Sequence, residues 1–335
     1  MRAVVCPSAP IPPASLVYTT SQPTPQPKPG HVLIRVRAFG LNRSELFTRQ
    51  GHSPGITFPR ILGIECVGTV EDAGGATEQW KKGDTVAAIM GNMGRKFDGG
   101  YAEYTIVPWT SVSQPIKLPE GMGWAEFGAI PETFLTAWGA LKVGLKLQPS
   151  DTLLIRGGPT SVGLASAALA KSSLFNARTV IATTRSASKT QSLEAAGVDH
   201  VVVDTANSAS AAVKALTGGK GADKCIELVG GPTLMDSFGS LQGNGTLAYV
   251  GCVSGEWTCK EFDPGMALHP HKIMTMFSSD TVTPWSSPLQ WIVDAVARGE
   301  IKANLDKVFK IEEAGAAHAY MEANGAAGKV VCVVE

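Results

Sequence analysis

The sequence has no surplus of charge of either sign: 29 Lys and Arg balance 29 Asp and Glu, a formal net charge of zero. That balance argues against the basic footprint of a general nucleic-acid binder. No run of about 18 or more unbroken apolar residues is present, so no membrane span is expected. The six cysteines, Cys6, Cys66, Cys225, Cys252, Cys259 and Cys332, form no CxxC pair and no dense framework. In a chain of 335 residues they read as reduced thiols, several of them inside strands. The N-terminus runs from Met1 straight into a strand, with no apolar stretch of signal-peptide length. A cytoplasmic enzyme is the expectation.

What is there is material for cores. Apolar residues make up 44 % and charged residues 17 %, and the length exceeds what one hydrophobic core comfortably serves, so two domains are expected. The first third is β-rich, with strand patterns at Val32 to Arg37, Cys66 to Val70, Asp84 to Ile89 and Tyr101 to Val107. The proline-rich stretch Pro7 to Pro29 reads as a rigid connector. From about Ala129, helical stretches alternate with short buried strands: Thr152 to Ile155, Thr179 to Thr183, His200 to Val203, Lys224 to Leu228 and Thr246 to Val250. Strand and helix repeated in this way predict an α/β fold with a doubly wound parallel sheet. A helix, Pro288 to Arg298, and a strand, Lys329 to Val333, fall outside the repeat and are expected to pack on the first domain.

The strongest local signal is Leu153 through Ala165, in which a strand ends, glycines turn the chain and a small-residue helix begins near Ser161. Such a turn points helix N-terminal amides, here around Ser161 and Val162, at a pyrophosphate, and the helix dipole favours its charge. Gly158 and Gly163 match the GxGxxG fingerprint, while Thr160 takes its middle place. An NAD site would carry an acid at the end of the second strand, about 20 residues on. That point reads Ala182-Thr183-Thr184-Arg185-Ser186-Ala187-Ser188-Lys189, with no acid and two cations four residues apart. Arg185 and Lys189 are suited to a 2′-phosphate, assisted by the Thr184 or Ser186 hydroxyl, so NADPH is the expected cofactor.

Four segments then carry a resemblance: Gly157 to Gly163, Leu41 to Gly51, Asp98 to Tyr104 and Ile130 to Ala137. Together, and in this order, they resemble the medium-chain dehydrogenase/reductases, and within them the zeta-crystallin-like quinone oxidoreductase branch. The resemblance implies a GroES-like catalytic domain from both ends of the chain, over 1–128 and 279–335. It places an inserted Rossmann domain at 129–278, with the active site in the cleft between the two, and implies a homodimer. It puts Asn42 and Thr136 beside the nicotinamide, with Arg49 close behind, and assigns Gly251 and Lys329 to the cofactor as well. Relatives that carry zinc take ligands from a Cys, a His-Glu pair and a later Cys or Asp. The corresponding places read Leu41-Asn42-Arg43-Ser44 and Gly63-Ile64-Glu65-Cys66, and 91–98 holds no cysteine, so no metal is expected. His269 and His271 have no third ligand beside them and read as surface residues.

Some relatives place tyrosines after the Asn; this chain has Phe47, His52 and Ser53 there. His52 is a candidate proton donor because its ordinary pKa lies near neutrality, and water is the alternative. Asp98 and Glu65 are expected to fix backbone. The function implied is NADPH-dependent hydride transfer to a quinone or an activated C=C of an unsaturated ketone, aldehyde or enoyl group. Two other readings stand beside it: a zinc-free alcohol dehydrogenase or carbonyl reductase, and a crystallin-like binding protein loaded with cofactor.

Overall fold

The computed structural model describes residues 1–323 and 325–335. Its contacts divide the chain into two units: Met1–Leu135 with Val282–Gly299 and Ala303–Glu335, and Thr136–Thr281 with Glu300–Lys302. The first crossing falls inside the helix Pro131–Gly139, beyond the change of pattern at Ala129.

The first unit opens with β1 (Ala3–Cys6), β2 (Val17–Thr19), β3 (His31–Gly40), β4 (Arg60–Ile61), β5 (Glu65–Asp72), β6 (Thr85–Ile89) and β7 (Tyr104–Pro108). A small sheet orders them β2-β1-β4. The stretch expected to be a plain connector therefore contains a strand, whose Thr19 pairs opposite Ala3. Three residues with exposed or half-buried side chains give no alternation to read. In a larger sheet β3 pairs antiparallel with both β5 and β7, and β6 continues beyond β5.

The second unit contains β8 (Thr152–Arg156), β9 (Thr179–Thr184), β10 (His200–Val203), β11 (Ala222–Glu227), β12 (Leu241–Tyr249) and β13 (Ile273–Met276). Every pairing is parallel, in the order β10-β9-β8-β11-β12-β13. Counted from β8, this is the 3-2-1-4-5-6 order of a dinucleotide-binding sheet. Its direction reverses between β8 and β11, where ligands bind such sheets. Leu153, Leu154 and Ile155 are wholly buried, as a central parallel strand covered on both faces requires. β13 is a sixth strand beyond the five expected from the sequence; it is short, mostly exposed and shows no alternation.

The chain then returns to the first unit with β14 (Leu305–Lys310) and β15 (Lys329–Val333). β15 pairs antiparallel with β3 and sets Val331 opposite Gly40. The last strand thus lies beside the segment that leads into Asn42, and the apolar residues of β3 and β15 join one core that includes Ile34, Phe39, Val330 and Cys332.

Candidate active site

The turn after β8 is built from backbone. Gly157 takes a φ of +85°, a left-handed conformation that favours glycine. A Cβ on Gly163 would lie 2.4 Å from the Gly158 carbonyl oxygen and 2.7 Å from that of Gly157. One on Gly158 would meet Leu193 at 2.9 Å and Ala182 at 3.0 Å, so the two fingerprint glycines are demanded by close packing of turn, helix and strand. Thr160 caps the helix Ser161–Lys171: its hydroxyl accepts from the Gly163 N–H at 3.0 Å and donates to the Gly157 carbonyl at 2.9 Å. That is why threonine serves in the middle place. The first-turn amides of Ser161 and Val162 are orphan donors of an eleven-residue helix, a cradle that fits a pyrophosphate.

β9 ends at Thr184, which is buried and whose hydroxyl donates to the Ser186 carbonyl and accepts from the Ser186 N–H. This small turn leaves the Arg185 side chain exposed, and Lys189 closes the 3₁₀ turn Ala187–Lys189. The Ser186 and Ser188 hydroxyls lie 2.7 Å apart. Gly251 follows β12, and its N–H donates to the Glu227 carbonyl at the end of β11. The turn after β8, Thr184 and Gly251 therefore all stand at the carboxyl ends of the parallel strands. Arg156, also at this end, is buried between Asp204 at 3.1 Å and Asp236 at 3.2 Å.

In the first unit, Asn42 caps the helix Arg43–Arg49, and its N–H donates to Glu45 at 3.0 Å. Its carboxamide is held at both ends. Oδ1 accepts from the Lys329 ammonium at 2.5 Å and Nδ2 donates to Glu65 Oε1 at 2.9 Å. Lys329 and Glu65 pair at 2.6 Å with both side chains 1 % exposed. The other Glu65 oxygen accepts from the Glu132 N–H at 2.8 Å. Lys329, expected at the cofactor, thus has its ammonium directed at Glu65 and Asn42. Glu45 also accepts from the Ile64 N–H, and burial pushes its carboxyl up to about 7. A Cβ on Gly40 would lie 2.5 Å from both Glu65 Oε1 and Lys329 Cε.

Arg49 is fully buried, with bonds to the Ile11 carbonyl, to Glu322 and, at 3.3 Å, to His318 Nδ1. His318 in turn meets the Tyr101 hydroxyl through Nε2 at 3.1 Å, and burial beside Arg49 pushes its pKa down to about 3. This guanidinium ties the N-terminal segment to the helix Ala314–Glu322. His52 is exposed, its ring edge-on to Phe47 at 6.1 Å. Thr136 is buried on the helix Pro131–Gly139. Asp98 does fix backbone, accepting from the Ile61 N–H at 3.0 Å. A pocket of about 410 Å³ between 113–117 and 284–294, with Trp285 and Trp291 in its wall, contains none of the predicted site residues.

Among the described residues no group of three or more His, Cys, Asp or Glu is arranged to hold a metal. An ammonium already contacts the oxygens of Asn42 and Glu65, and Ile64 offers no donor, so this cluster does not fit zinc.

Two family models match the chain: the alcohol dehydrogenase GroES-like domain over residues 28–120 and the zinc-binding dehydrogenase over 196–332. The chain is 28 % identical to the synaptic vesicle membrane protein VAT-1 of Tetronarce californica, over 89 % of this chain and 79 % of that one. It is 25 % identical to a quinone oxidoreductase of Pseudomonas aeruginosa over 95 % of each. A mycobacterial protein solved in complex with NADPH superposes with a TM-score of 0.85 at 27 % identity, over the full length of both chains.

Proposed function

The chain belongs to the medium-chain dehydrogenase/reductase superfamily, in its quinone oxidoreductase branch, and from that premise we propose that it is an NADPH-dependent reductase of conjugated acceptors. The observation that carries the cofactor choice is the end of β9, where Arg185 and Lys189 follow Thr184 and no acid stands to hold a ribose diol. The mycobacterial relative's complex with NADPH supports the same choice. Bound there, the cofactor supplies a hydride from its reduced nicotinamide.

The protein's own groups bind and orient. Ser161 and Val162 amides hold the pyrophosphate, Arg185 and Lys189 the 2′-phosphate, and Asn42 the nicotinamide end. With a lysine ammonium at Asn42 and no ligand set for a Lewis acid among the described residues, the substrate must bring its own electron-poor carbon. A quinone or an α,β-unsaturated ketone, aldehyde or enoyl group does so, since each takes hydride and leaves an enolate-like oxygen. The proton comes from His52, whose ring is exposed, or from solvent water. The test is NADPH oxidation with a panel of quinones, enones and saturated ketones. The reading expects turnover of the first two groups alone, and saturated ketones reduced as fast as enones would overturn it.

The same reading makes the protein a homodimer through β13. This edge strand exposes Ile273 at 55 % and Met276 at 72 %, an apolar edge that a second copy would cover. Met276→Asp should convert a dimer into a monomer by sedimentation; a wild-type protein that sediments as a monomer would refute it. The six free cysteines fit work in the reducing cytoplasm.

A further inference from the structure

We propose that the buried Lys329–Glu65 pair is a positioning device: it locks the Asn42 carboxamide in one of its two orientations and strengthens its remaining N–H as a donor at the nicotinamide end. This rests on the reading that Asn42 stands there. A carboxamide can be turned over, exchanging its oxygen and nitrogen, at almost no cost in shape. Here the exchange would put Nδ2 against the Lys329 ammonium and Oδ1 against the Glu65 carboxylate, at the contacts now 2.5 and 2.9 Å long. Both would become repulsive, and neither charge is able to turn to water because both side chains are 1 % exposed.

The charges themselves are fixed from outside the triangle. Glu65 is held by the Glu132 N–H, and Lys329 lies on β15, whose Val330 carbonyl accepts from the Leu41 N–H. Gly40 has no room for a Cβ between the two side chains, so the backbone of β3 closes against the pair. A carboxamide offers two donors and two lone pairs. Lys329 uses one lone pair and Glu65 one N–H, which leaves one N–H for a ligand. An ammonium on the oxygen withdraws charge from the amide, so the remaining N–H donates more strongly. Asn42 is half-buried, and its backbone N–H is already capped by Glu45.

The experiment compares Asn42→Ala, the charge-neutral pair Glu65→Gln with Lys329→Met, and all three changes together. Readouts are NADPH affinity, kcat with a quinone, and the fluorescence emission of the bound reduced nicotinamide. The neutral pair should lower kcat about tenfold through misplacement while NADPH affinity stays within about twofold. Its nicotinamide emission should shift as in Asn42→Ala, and the triple variant should be no worse than Asn42→Ala because the effects run through one side chain. Wild-type kcat and emission in the neutral pair, or losses that multiply in the triple variant, would overturn the proposal. If Asn42→Ala alone changes neither readout, the placement of Asn42 at the nicotinamide fails instead. A measurement independent of the clamp variants is the side-chain amide of Asn42 by NMR in the wild-type protein. One of its two protons should exchange slowly, and two rapidly exchanging protons would contradict the clamp.

Discussion

In the turn after β8, the hydrogen-bonding groups come from Gly157 to Gly163 and from Thr183 on the neighbouring strand, and all of them are neutral backbone or threonine hydroxyls. The cluster around Asn42 is assembled from Gly40, Glu45, Glu65, Glu132 and Lys329, with Asn42 and Lys329 separated by 287 positions. The turn needs only glycine where a Cβ would collide and a cap where the helix starts. The cluster buries a cation and a carboxylate, whose desolvation is offset only while the set is complete. Damage to the turn should therefore appear in cofactor binding, and damage to the cluster in stability and in the chemistry.

The sharpest way to break that contrast is to remove one charge. Lys329→Met alone leaves Glu65 buried and unpaired and should destabilise the protein by about 3–5 kcal/mol in urea unfolding. Adding Glu65→Gln should recover most of that loss. Equal stability of the single and double variants would show that the pair is not the buried ion pair described. In the turn, Gly163→Val places side-chain atoms where even a Cβ lies 2.4 Å from the Gly158 carbonyl oxygen. NADPH affinity should fall about a hundredfold, equivalent to about 2.7 kcal/mol. Titration by nicotinamide fluorescence checks it, and unchanged affinity would remove the turn from the site.

A smaller effect separates the first unit's buried groups by pH. The folded-state pKa of His318, pushed down to about 3, lies below the ordinary histidine value. As pH falls from about 6.5 towards 3, the unfolded chain takes up a proton that the folded one refuses, so stability falls, by up to about 1.4 kcal/mol per pH unit. Glu45 acts in the opposite sense. Its carboxyl, raised to about 7, is protonated first in the folded state, so its contribution grows as pH falls from about 7 towards 4.5. His318→Gln should flatten the acid loss measured by urea midpoints at pH 7 and pH 5, and an unchanged slope would mean that His318 is not held neutral. The smallest effect is that of Thr160→Ala, which removes the helix cap and should cost about 1 kcal/mol of stability.

The same contrast explains what was legible in the sequence. The parallel sheet announced itself through short apolar runs such as Thr152 to Ile155, and the turn through glycines at fixed offsets, because both are local patterns. β13 and β14 carry no such pattern: both are short edge strands without clean alternation, and β13 offers only four residues. Asn42 and Lys329 both stood out by family resemblance, yet their contact did not, because strand pairing and not spacing puts Val331 opposite Gly40. Glu65 was expected to fix backbone and does so through Glu132, but its second oxygen, on Asn42, had no signature. The Arg49–His318–Tyr101 network was equally hidden: Arg49 lies 269 positions from its histidine.

On the proposed reading, Arg185 and Lys189 select NADPH over NADH. A hydrogen bond to a charged group contributes roughly 1.5–3 kcal/mol, so Arg185 alone should favour NADPH over NADH by about ten- to a hundredfold. Lys189 should add less, as a flexible ammonium screened by salt. Dissociation constants of NADPH and NADH, measured on the wild-type protein and on Arg185→Ala with Lys189→Ala at two salt concentrations, test this directly. The wild-type protein should prefer NADPH, and that preference should shrink as salt rises. In the double variant NADPH binding should weaken by about two orders of magnitude while NADH binding barely changes. Equal wild-type affinity for the two cofactors would contradict it.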